Sequence, residues 1–235
     1  MSDLLALLAW GPAGWGDELA QGLWLTIRLA LTTLPFGLAA GLLIALAKQS
    51  PEPTLRTAAN VYTTIFRGVP ELVTLFVIYY GGQIAFAALA SLFTDAYVEV
   101  SGFVAGVIAL GVVFSAFSSE VFLSAFRGIP AGQYEGAQAL GLTRFQTLRK
   151  VILPQLVRLA LPGLSNLWLV LLKDTALVSI IALDDLLRKT NVAVGNTKEP
   201  FFFYMVACLI YLALSTSSSA LLGVVDRRVR RGEVR

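Results

Sequence analysis

The stretch YEGAQALGLTRFQTLRKVILPQL, residues 134–156, places Glu135, Arg144, Arg149 and Lys150 between long apolar runs. Inside those runs a second set of polar residues stands out: Glu120, Asn166, Lys173, Asp174 and Thr175. Neither set is equipped for bond-breaking chemistry. The sequence has no histidine, which removes the commonest general base and metal ligand. Its one cysteine, Cys208, excludes an intrachain disulfide and a thiolate metal cluster. Asp184-Asp185 is the one candidate for paired carboxylates on a helix face. No Gly-x-x-x-x-Gly-Lys-Ser/Thr loop is present, so ATP binding of the usual kind is not expected. These absences argue against an enzyme and against a bound metal or cofactor.

Charge at membrane depth is costly and often functional. Glu120 follows Ser115, Ser118 and Ser119, and could pair with Arg67 or Arg127 or face a pathway. Asn166 needs a partner, either another helix or a substrate. Lys173 and Asp174, with Thr175 after them, lie about 16 Å beyond Pro162 on a helix. That puts them toward the outer side, as a structural pair or as the lining of a substrate cavity or outer gate. Arg28 is close enough to the end of its segment to reach the headgroups.

The elements that must position these residues are membrane helices. Of 235 residues, 57% are hydrophobic and 14% charged, against roughly a quarter charged in a soluble domain. The mean hydropathy is +0.75. Five apolar segments emerge, near 19–47, 58–89, 103–126, 156–183 and 201–225, the fourth interrupted by Pro162 and by Lys173-Asp174. Each can cross roughly 30 Å of hydrocarbon. Backbone groups in lipid must bond internally, so the segments are helices, and the fold is an all-α polytopic bundle. The chain reads as a single transmembrane domain, 1–235. Residues 4–10 read as an interfacial foot rather than a cleaved signal, because no Lys or Arg precedes them. The aromatics Phe201 to Tyr204 read as interfacial anchors.

Lys and Arg in the connections set the orientation. They are absent before the first segment and from the loop holding Asp95 and Glu99. They gather at Lys48, Arg56 and Arg67, in the 127–158 stretch, and at the tail from Arg227 to Arg235. The N-terminus is expected outside and the C-terminus in the cytoplasm. The fourth connection, with Lys173, Arg188, Lys189 and Lys198 balanced by Asp174, Asp184, Asp185 and Glu199, fits this least well. A net charge of +3 gives no reason to expect nucleic acid as a partner.

Residues 128–155 therefore form a cytoplasmic loop. Glu135, Ala139 and Leu142 fall at helical spacing, as do Ala137, Leu140 and Arg144. Gly141 allows a left-handed residue that ends a short helix, and a second helix starts near Thr143. Small residues at Gly136 and Ala137 let another surface approach. From the residues alone, an ordinary interfacial connector is an equal reading.

This loop resembles the EAA loop of ABC-importer permeases, which runs Glu-Ala-Ala, three residues, Gly, nine residues, Ile-x-Leu-Pro. The corresponding positions are Glu135, Gly136, Ala137, Gly141, Val151, Leu153 and Pro154, with Gly136 and Val151 departing conservatively. The stretches YTTIFRGVPELVTLFVIYYG, FSSEVFLSAFRGIPAGQYEGA and LPGLSNLWLVLLKDTALVSIIALDDL resemble helices of the polar amino-acid permease family. That family spans basic amino acids such as histidine, arginine, lysine and ornithine, opines, glutamine and glutamate, so the resemblance leaves the individual substrate open. The ending KEPFFFYMVACLIYLAL is most similar to its Q-type subunit. The resemblance implies a type I ABC importer permease fold in the bacterial inner membrane. It implies a permease subunit of an ATP-driven importer for polar amino acids or opines, and the charges of Glu120, Asp174 and Lys173 lean toward a basic or zwitterionic ligand. It assigns ATPase coupling to Glu135, Gly136, Ala137, Leu140, Gly141, Leu142 and Pro154. Its implied partners are an M-type permease subunit or a second copy, an ATPase dimer holding ATP and magnesium, and an extracytoplasmic binding protein. A self-contained carrier would more often show inverted repeats, and none is visible.

Overall fold

The computed structural model describes residues 2–92 and 100–230. Asp95, Glu99, Arg231 and Arg235, which entered the orientation argument, lie outside the described residues. All described elements are helical. A short α1 (Ser2–Ala6) occupies the expected foot and precedes α2 (Gly16–Lys48). Then come α3 (Pro53–Gly68), α4 (Glu71–Phe76), a π-helical turn (Val77–Gly81), α5 (Gly82–Ala90) and α6 (Gly102–Arg127). The loop helices α7 (Ala131–Ala139) and α8 (Arg144–Thr147) follow. A second π turn (Leu148–Ile152) leads into α9 (Leu153–Asp174), which tightens to a 3-10 helix (Thr175–Ile181). The chain ends with α10 (Leu186–Thr197) and α11 (Pro200–Arg230). Among the described residues, five stretches are long and apolar enough to cross a membrane: Gly16–Lys48, Glu71–Ala90, Gly102–Arg127, Arg144–Ile181 and Pro200–Val229.

The spine is the parallel pairing of α2 and α6. Glycines on α2 bring the two backbones close. A Cβ on Gly41 would lie 2.0 Å from Ser118 Oγ, and one on Gly37 would lie 2.6 Å from Phe114 Cδ1. Ser118 Oγ donates to the Gly37 carbonyl at 3.3 Å. Small residues are how helices approach in lipid, where association rests on packing and interhelical hydrogen bonds. Three apolar clusters stack along this spine. Leu19, Leu186 and Phe203 pack at the outer end, Leu29, Phe114, Leu171 and Val178 in the middle, and Ala45, Phe122, Ile152 and Leu156 at the loop end.

Two sequence expectations give way here. The second apolar segment is not one helix. Pro70 holds Val69 extended, at φ −94° and ψ 134°, so α3 ends and the crossing rod begins at Glu71. The fourth segment is not interrupted at Pro162. Helix α9 runs through this exposed proline, as membrane helices tolerate when neighbours resatisfy the backbone. Lys173-Asp174 marks the change from α to 3-10 winding, not a break.

Phe203 is not an anchor. It is fully buried against the outer cluster, while Phe201 is 79% exposed. Tyr204 Oη donates to Asn191 Oδ1 at 2.7 Å. Two cations assigned to the fourth connection also find a place. Lys173 belongs to α9, and Lys189 Nζ pairs with Glu18 of α2 at 2.6 Å and Asp184 at 3.6 Å.

Candidate functional site

A cavity of about 290 Å³ opens between α4, α6 and α9. Its walls are Leu110, Val113, Phe114 and Phe117 of α6 and Leu167, Val170 and Leu171 of α9. Its polar groups are Glu71, Asn166 and Asp174. No Lys or Arg lines it. The α6 wall straddles the middle of that helix, so the chamber that Asp174 lines lies level with the middle of α6.

Four residues expected to act together are thus divided. Asn166 and Asp174 share the cavity. Lys173 is exposed, does not line it, and is not among the ion pairs of the described residues. Lys173 and Asp174 thus make no direct salt bridge, although the Lys173 charge lies near enough to act on Asp174. Thr175 is buried and donates to the Leu172 carbonyl at 2.7 Å, which ties down the start of the 3-10 helix.

Glu120 does not line the cavity. Its Oε1 accepts from Lys48 Nζ at 2.5 Å and pairs with Arg67 at 3.2 Å, not with Arg127. Arg67 also lies over the Phe117 ring, 5.6 Å from its centroid. Arg28 lies over Phe103, 5.4 Å from the centroid, near the outer end of α6.

Sequence reasoning missed Glu71 as a lining residue and Lys48 as a partner of Glu120. Glu71 carried a signal, an acid two residues after Val69 inside a run taken as one crossing helix. Once Pro70 is allowed to end α3, Glu71 stands in a first turn, where a carboxylate is favoured.

The loop forms as its spacing indicates. Gly141 adopts φ +75°. Leu142 N donates to the Ala137 carbonyl at 3.1 Å and Gly141 N to Gln138 at 2.9 Å, which is a Schellman ending. Thr143 and Gln146 cap α8 reciprocally: Thr143 Oγ1 accepts from Gln146 N at 3.3 Å, and Thr143 N donates to Gln146 Oε1 at 2.9 Å. Glu135 and Gly136 are exposed, as are Leu140 at 81% and Phe145 at 68%. Ala137 is buried within this chain, so it shapes the knob from beneath and offers no outer surface. Leu142 is half-buried at the turn, and Pro154 is exposed in the first turn of α9. The outward face is an apolar patch carrying one carboxylate, with Arg144, Arg149 and Lys150 exposed beside it.

Residues 37–231 match the family described as the binding-protein-dependent transport system inner membrane component. The nopaline transport system permease protein NocQ of Agrobacterium fabrum is 43% identical over 217 residues, covering 92% of each chain. The histidine/lysine/arginine/ornithine transport system permease protein HisQ of Salmonella typhimurium is 39% identical, covering 93% of this chain and 96% of its own. Among solved structures, an amino acid ABC transporter with histidines superposes with a TM-score of 0.77 at 32% identity. It covers 91% of this chain and 95% of its own. An inward-facing form of the MetNI methionine ABC transporter, 20% identical, shares the fold with a TM-score of 0.74, covering 90% of this chain and 96% of its own.

Proposed function

The chain belongs to the family of binding-protein-dependent transport system inner membrane components, and from that premise we propose that it admits basic amino acids or opines through its central cavity. The observation that carries this reading is the pairing of Glu71 with Asp174 in a chamber without a cationic side chain. Two carboxylates at membrane depth are unfavourable unless a cation meets them. A substrate's cationic group supplies that cation, and the apolar walls take its alkyl stem. Asn166 offers both a donor and an acceptor to the other end of the ligand. The nearby relatives named for nopaline and for histidine, lysine, arginine and ornithine agree with this choice.

The rest of the machine lies on other chains. The substrate arrives from an extracytoplasmic binding protein. An ATPase pair, holding ATP and magnesium, receives the exposed face of α7 and the Gly141 turn. A related M-type subunit, or a second copy of this one, completes the pathway. The N-terminus faces outside and the C-terminus the cytoplasm, because Lys48, Arg127, Arg149 and Lys150 gather at the loop end of the bundle. Uptake by the assembled importer across basic, neutral and acidic amino acids tests the reading.

A further inference from the structure

We propose that Arg67, held by Glu120, is the inner gate of the central cavity, and that a substrate's cationic group leaves by taking the place of Arg67 on Glu120. This rests on the reading of the cavity as a site for cationic amino acids. Along α6 the parts come in order toward the loop end. Phe117 lines the cavity, the Arg67 guanidinium lies over its ring at 5.6 Å, and Glu120 holds that guanidinium at 3.2 Å. Phe117 is thus shared by the cavity and by Arg67, and Glu120 is the next carboxylate along α6 toward the loop end.

The two cations on Glu120 are unequal. Lys48 bonds it at 2.5 Å with a side chain only 4% exposed, and it closes the end of α2. The Arg67 side chain is 44% exposed. Arg67 also sits where the backbone can turn. Gly68 follows it, with nothing near its Cβ position, and the break at Val69–Pro70 comes next. Lys48 is therefore the fixed arm and Arg67 the displaceable one. Lys48 already balances Glu120, so replacing Arg67 by another cation leaves this half-buried carboxylate paired throughout. A freed Arg67 keeps its contact with the Phe117 face, which limits the cost of letting go. Because Glu71 begins the rod just past the break, movement of Arg67 also shifts one of the two carboxylates that hold the substrate.

The test is the ratio of ATP hydrolysed to substrate moved by the assembled importer in proteoliposomes, with and without its binding protein. Arg67→Gln is expected to raise substrate-independent hydrolysis and to raise the ratio about fivefold or more. Arg67→Lys is expected to restore most of the coupling. Glu120→Gln is expected to slow uptake of a basic amino acid more than that of a neutral one. A wild-type ratio in both Arg67→Gln and Glu120→Gln overturns the gate. So does a loss of assembled complex with an unchanged ratio in what remains, since that marks the contacts as structural. If the unaltered importer carries no basic amino acid, the cavity reading fails instead, and the ratio for the substrate it does carry still decides the role of Arg67.

Discussion

Glu71, the first residue of α4, and Asp174, the last residue of α9, line one cavity. No Lys or Arg of this chain lines that cavity. A charged hydrogen bond to a ligand is worth about 1.5–3 kcal/mol, or about ten- to a hundredfold in affinity. Glu71→Gln is therefore expected to raise the KM for a basic amino acid by that factor. Copurification of the ATPase should be unaffected. An unchanged KM in transport assays would remove Glu71 from the site.

The loop knob gives a separable prediction. Glu135→Arg reverses the one carboxylate on an exposed apolar face, and Gly141→Val forces a β-branched residue to φ +75°. A left-handed conformation costs an L-residue about 1–2 kcal/mol, more when it is β-branched. Both variants should insert in the membrane, lose uptake and hold the ATPase less well. Normal copurification together with normal uptake would exclude this face as the coupling surface.

Much of this was legible in the residues, and the losses have physical causes. The loop could be read because its signals are local: Gly141 ends one helix, Thr143 and Gln146 start the next, and both act within a few residues. The crossing helices could be read because lipid forces apolar length. The second segment misled because apolar residues continue through Val69–Pro70, so hydropathy ran past a break that one proline imposes. The site was half visible. Asn166 and Asp174 stood out as polar residues in an apolar helix, but helical phase divides Lys173 from Asp174, and no local pattern shows which face meets α6. The Lys48–Glu120 pair spans two helices, which a reading along the chain cannot bring together.

Asp185 supplies a pH dependence. It caps α10, its carboxylate accepting from Arg188 N at 3.0 Å and Leu187 N at 3.2 Å. Burial pushes its carboxyl up to about 6, and Asp184 adds in the same direction, against the lowering effect of the backbone bonds. The folded chain thus holds this proton more tightly than the unfolded chain does. The contribution of Asp185 to stability is greatest below about pH 4, falls as pH rises to about 6, and is flat above. Asp185→Asn keeps an acceptor at the cap and should flatten that part of the Tm-against-pH curve in detergent. Equal slopes for the two proteins would contradict this.

The orientation can be checked with single cysteines after Cys208→Ser. Gly195 on α10 and Gly132 on α7 both have open space at their Cβ positions. Gly195→Cys should react with an impermeant reagent from outside, and Gly132→Cys only after permeabilisation. The reverse pattern would invert the topology.

The central claim is that Asp174 and Glu71 select a cationic substrate, and uptake by Asp174→Asn tests it most directly. The variant replaces one oxygen by nitrogen at nearly constant volume, so packing around Leu171 and Thr175 is kept while the charge is lost. Uptake is measured in proteoliposomes, normalised to assembled complex, for a basic and a neutral amino acid. The account predicts a fall of about tenfold or more for the basic one and a shift of preference toward the neutral one. Unchanged uptake of both, at equal complex, would contradict it.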